Sequence, residues 1–148
     1  MARIEAARPQ FYAIAREHYG VTINEGTFGI SSRLAHIGAR YAADQGAGNA
    51  YHEAVLHAYW QEAQRIDEPD VLADIAAGLG LDRDAFLAAL EARAGEKAVV
   101  DEARQALEAG IQGVPAFLFA ERYLVSGAHP ADALRGFVDK VETLLSEQ

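Results

Sequence analysis

The sequence predicts a mostly helical α/β chain, and three observations carry that expectation. Apolar residues recur at helical spacing in six successive segments, a compact apolar and aromatic run then breaks the pattern, and a last amphipathic stretch closes the chain. No fixed-period repeat, low-complexity tract or serine- or proline-rich linker interrupts the 148 residues, which suits one domain over 1–148.

Pro9 suits the first turn of a helix through Phe11, Ile14 and Ala15 that stops at Gly20, since proline favours helix starts and glycine favours the residue just past an end, and the stretch before Pro9 is compatible with helix as well. Val21 and Ile23, followed by Asn24, Glu25 and Gly26, predict a short extended connection. Ser32 is placed to cap a helix through Leu34, Ile37, Tyr41 and Ala42 that ends around Gly46 to Gly48. Asn49 is placed to cap the next, whose Tyr51, Val55, Leu56, Tyr59 and Trp60 read as one broad core face. Asp67, Glu68 and Pro69 form an acidic start for Val71 to Leu79, closed by Gly80. Asp82 caps a helix through Phe86, Leu87 and Leu90, and Glu96 to Ala109 forms another that stops at Gly110.

After Gly113 the runs VPAFLF and RYLVSG predict a two-stranded hairpin. Pro130 and Asp132 then start a C-terminal helix carrying Leu134, Phe137, Val138, Val141 and Leu145.

Composition narrows the chemistry. A net charge of −9 argues against nucleic acid, whose affinity for proteins comes largely from lysine and arginine displacing counterions. No apolar run approaches the roughly 20 residues needed to span a bilayer, and MARIEAARPQ has no apolar signal core, so a soluble, cytoplasmic protein without a membrane partner is expected. The chain contains no cysteine, which removes disulfides, thiolate nucleophiles and sulfur ligands together.

The string HEAVLH places His52 and His57 five residues apart, about 500° of helix, so their rings point about 140° apart and cannot grip one metal ion. A pair between Glu53 and His57 at helical spacing is the simpler expectation. His129 is expected to be structural, capping the last helix or lying near the loop at Pro115, and the adjacent Tyr59 and Trp60, which could also be read as a ligand-stacking pair, are expected to be packing residues. Glu91, Glu96, Asp101, Glu102 and Glu108 are dispersed along helices, which reads as a solvated face rather than a calcium loop.

GVPAFLF followed by RYLVSGAHP resembles the C-terminal hairpin of the DsbA-like thioredoxin superfamily, in particular its FrnE-like branch. INEGTFGISSRLA, YHEAVLHAYWQEA and IDEPDVLADIAAGLGLD resemble, in order and spacing, that branch's inserted helical subdomain, so the likeness covers nearly the whole chain. It implies a partial thioredoxin-like fold, with a helical subdomain over about 9–110 and a thioredoxin-core remnant over about 111–148. It also implies a cis bond between Val114 and Pro115, opening a strand of the core opposite a CxxC motif, with the backbone beside the proline pairing with an extended peptide or glutathione. Val114 and Pro115 are therefore the expected substrate-binding residues.

The strand, CxxC helix and second strand that the superfamily places upstream have no counterpart here, and Ser31, Ser32 and Ser126 do not match the serine of its glutathione-dependent isomerases. The implied function is that of a shortened thiol–disulfide oxidoreductase homologue, redox-inactive by itself, with no catalytic residue, cofactor or metal. The alternatives are a non-catalytic interaction module and a relative of the glutathione-dependent isomerases. A homodimer through the hairpin is also expected, because Phe117, Leu118 and Phe119 would lie on a strand stripped of its inner neighbour.

Overall fold

Helix-forming residues extend back beyond Pro9: the segment ARIEAA consists largely of strong helix formers, and the first helix begins there. The computed structural model describes residues 2–27 and 29–147, with side chains from Ala6 onward, so Phe28 of the INEGTFGISSRLA motif lies outside the described residues. The element order is α1 (Ala2–Tyr19), α2 (Arg33–Asp44), α3 (Gly48–Trp60), α4 (Pro69–Gly78), α5 (Arg83–Glu91), α6 (Glu96–Glu108), β1 (Ala116–Phe119), β2 (Tyr123–Ser126) and α7 (Ala131–Ser146). This is the mostly helical architecture expected. The chain forms two units, Met1–Val99 and Val100–Gln148.

Several helix starts differ from the sequence reading. Pro9 lies inside α1 rather than in its first turn, and costs that helix one backbone bond. Ser32 occupies the N-cap position of α2 but makes no side-chain cap, because its ψ of 3° is not the extended conformation that aims the hydroxyl at the first turn. The Ser31 hydroxyl instead accepts from the Arg33 N–H at 3.3 Å. Asn49 does not cap α3: Gly46, at a φ of +77°, turns the chain early enough for the helix to start at Gly48.

Asp82 does cap α5, its Oδ1 accepting from the Ala85 N–H at 2.8 Å. Arg83 then ties α5 to α4 through Asp70 and Asp74, at 2.8 and 2.7 Å.

The core of the first unit is formed by α2 to α5. Ile37, Tyr51, Leu72 and Phe86 have no solvent exposure. Phe86 meets Tyr41 edge-on with centroids 5.4 Å apart, and Tyr51 at 5.5 Å. Gly38 allows this approach, since a Cβ there would lie 2.5 Å from the Tyr51 hydroxyl and 2.6 Å from Phe86.

The expected core face of α3 divides. Tyr51, Val55 and Ala58 are buried, whereas Leu56 and Trp60 are 44% and 38% exposed. The reason is angular, because five and nine residues from Tyr51 correspond to rotations of about 140° and 180°.

In the second unit β1 pairs antiparallel with β2, Phe117 opposite Val125 and Leu118 opposite Leu124. The reversal between them uses Ala120 and Glu121 at φ of +50° and +55°, the left-handed conformation that suits the twist of a hairpin. Phe117 and Phe119 share one face with rings stacked 6.4 Å apart.

Candidate functional site

The proline loop stands at the head of β1. Gly113 leads into Val114, which is 90% exposed, and the Val114–Pro115 peptide bond is cis. The Pro115 carbonyl accepts from the Gly127 N–H at 2.8 Å, so the loop is tied to the residue just after β2. β1 pairs with β2 on one side and with no other described strand, and Leu118 is partly exposed. The loop therefore offers an accessible backbone beside an unpaired strand edge, the arrangement by which an extended peptide adds to a sheet.

His129 helps hold this region without capping α7. Its Nε2 donates to the Ser126 carbonyl at 3.0 Å, and its ring meets Phe137 edge-on at 5.9 Å. Pro130 takes the N-cap position and provides no side-chain cap.

His57 pairs with Glu62 at 3.3 Å rather than with Glu53. A residue just beyond the helix end reaches the ring from the chain reversal, a contact that helical spacing alone does not anticipate. Among the described residues no cluster of three or more potential ligands could hold a metal ion. The acidic residues divide between solvent and local ion pairs. Glu96 takes Arg93 at 2.6 Å and Arg33 at 3.5 Å, and the Arg93 guanidinium holds its carboxyl below the usual carboxylate range. Asp101 takes Arg104 at 3.0 Å.

A second feature goes beyond the packing role expected of Tyr59 and Trp60. Phe11 and Tyr12 of α1 approach Tyr59 and Trp60 of α3 and, with Arg8 and Asn24, line a cavity of about 270 Å³. The four rings contact one another, Phe11 against Trp60 at 6.1 Å and Tyr59 against Trp60 at 4.8 Å. Tyr59 and Trp60 are thus cavity walls as well as packing residues. Two adjacent aromatic pairs, FY and YW, were the available signal, but their meeting depends on the approach of α1 to α3.

Among the described residues no helix is long and apolar enough to cross a membrane. The fold resembles the crystal structure of a probable DsbA oxidoreductase from Streptomyces coelicolor, with a TM-score of 0.78 over 99% of this chain and 62% of that chain at 24% sequence identity. The uncharacterized protein YwbO of Bacillus subtilis (strain 168) is 35% identical over 100 residues, 64% of this chain and 48% of YwbO. The chain thus spans about half to two thirds of the length of these two relatives. The model of the DSBA-like thioredoxin domain matches residues 13–139, most of the helical segment together with the proline loop and hairpin, and the chain belongs to that family.

Proposed function

We propose that this chain is the substrate-docking part of a DsbA-like thiol–disulfide oxidoreductase of the FrnE-like branch, redox-inactive by itself. The observation that carries the reading is the exposed Val114–Pro115 loop at the head of a strand with one described partner. Exchange proceeds by attack of a thiolate on a disulfide sulfur with release of the other sulfur as a thiolate, and none of these 148 residues is a cysteine. The attacking sulfur must come from outside them. Val114 and Pro115 then serve to seat an extended peptide or glutathione by main-chain pairing.

Two measurements test this. In an insulin-reduction assay the purified chain runs at the buffer rate, and activity that survives repurification overturns the redox-inactive reading. Titration with reduced glutathione or a cysteine-free extended peptide shifts the amide resonances of Val114 and of 116–119, and shifts confined to other residues remove the docking role.

The same open edge supports a second reading, a homodimer formed hairpin to hairpin. Phe117 and Leu118 lie on a strand with one described partner, and an exposed strand edge is a template for another chain. In sedimentation velocity the chain then dimerises with rising concentration and Leu118→Lys returns it to monomer. A wild-type monomer at high micromolar concentration ends this reading.

A further inference from the structure

The cavity between α1 and α3 is walled chiefly by the rings of Phe11, Tyr12, Tyr59 and Trp60, and Arg8, Tyr12 and Asn24 at its wall already bond to the protein. The Arg8 Nε donates to the Tyr12 hydroxyl at 2.8 Å, and the guanidinium lies 5.6 Å from the centre of the same ring. The Asn24 backbone N–H donates to the Trp60 carbonyl at 2.9 Å, and its side-chain amide donates to the Gln61 carbonyl. Among the described residues the lining holds no acidic side chain for a cation, which would also meet the charge of Arg8. An anion would have to draw Arg8 away from the Tyr12 hydroxyl and ring while giving up its own hydration. A neutral ring loses little hydration and gains edge and face contacts with tilted aromatic walls.

Size narrows the class further. A dry apolar cavity of about 150 Å³ holds benzene, so a space of about 270 Å³ suits two fused rings. We propose that this cavity binds an uncharged, planar aromatic molecule of bicyclic size. The site stands independently of the proline loop and of any redox role.

Trp60 is the single tryptophan, so its indole N–H gives one resolved proton–nitrogen resonance at the cavity wall. Indole serves as the probe against the intact chain. The expected result is a saturable shift of the Trp60 resonance with a midpoint at roughly millimolar indole or below. Ala7 lines the cavity from an exposed position on α1, where a larger side chain is tolerated by the helix. Ala7→Phe fills the space and weakens binding roughly tenfold or more with circular dichroism unchanged, and Tyr59→Leu weakens it by removing a ring at similar apolar volume.

A shift that stays linear in indole overturns the proposal, as does saturation that neither variant alters. Tighter binding of indole-3-acetate assigns the cavity to anions instead. A Trp60 shift that follows protein concentration without indole assigns the rings to a second copy of the chain.

Discussion

The two units differ in what their amphipathic helices achieve. In the first, α2 to α5 surround Ile37, Tyr51, Leu72 and Phe86, which have no solvent exposure. In the second, no described residue reaches that state, although α6 and α7 are as clearly two-sided as α2. Phe137, Val138 and Leu145 of α7 all remain more than a third exposed. Apolar periodicity therefore reports that a face requires a partner; it does not report that the partner is present. A two-stranded hairpin with α7 and most of α6 leaves every described residue of that unit in contact with water, whereas four helices enclose a core.

The sharpest way to break this comparison is to truncate one phenylalanine in each unit. Phe86→Ala empties the centre of the first core and is expected to cost about 3–5 kcal/mol. Phe137→Ala removes a ring that is already partly in water, and is expected to cost below about 1 kcal/mol. Urea unfolding of both variants measures the difference. Equal losses would show that α7 belongs to a core as closed as that of α2 to α5.

The same contrast decides what was legible in the sequence. Glycines such as Gly80 and Gly110, at φ of +84° and +83°, end helices where the periodicity stops, so helix number, order and ends were readable from local signals. Starts were less so: Ser32 and Asn49 are good cap residues by type, but a cap also requires a backbone conformation that residue type does not dictate. The cis bond between Val114 and Pro115 and its place at the head of β1 were legible because a short motif carries them. The cavity at Tyr59 and Trp60 was not, because it arises where α1 approaches α3 across the 20–32 connection and the whole of α2. The exposure of Leu56 was readable in principle from its angle to Tyr51, but a broad apolar face obscured the division.

A glycine-to-alanine pair sharpens the comparison by opposing signs. In a helix interior alanine is favoured over glycine by about 1 kcal/mol. At Gly136 of α7 a new methyl meets nothing within 4 Å, so Gly136→Ala is expected to stabilise by up to about that amount. At Gly38 the methyl would sit 2.5 Å from the Tyr51 hydroxyl and 2.6 Å from Phe86, both rings fixed by complete burial. Overpacking then outweighs propensity, and Gly38→Ala is expected to cost about 1–3 kcal/mol net. Thermal or urea unfolding reads both. A stabilising Gly38→Ala would mean that the first core yields far more readily than its closure implies.

The smallest effect at neutral pH concerns the one imperfection of that closed core. The Tyr51 hydroxyl is buried and finds no hydrogen-bond partner among the described residues, an arrangement that desolvates a polar group without recompense. Tyr51→Phe keeps the ring and removes the orphan, so at pH 7 it is expected to leave stability unchanged or to raise it by about 1 kcal/mol. Alkaline pH separates the variants more clearly. Burial pushes the Tyr51 phenol above its ordinary value of 10.0, so on raising the pH the unfolded chain releases this proton before the folded chain does. Deprotonation then favours unfolding: the contribution of the neutral buried phenol is intact below the ordinary value and is lost as the pH climbs from there toward the raised one. The expected slope is about 1.4 kcal/mol per pH unit, and Tyr51→Phe removes that share of the alkaline loss. Urea unfolding between neutral and strongly alkaline pH compares the two curves. Identical slopes would show that the phenol ionises as readily in the folded chain as in the unfolded one, and that the first core is open to water at its centre.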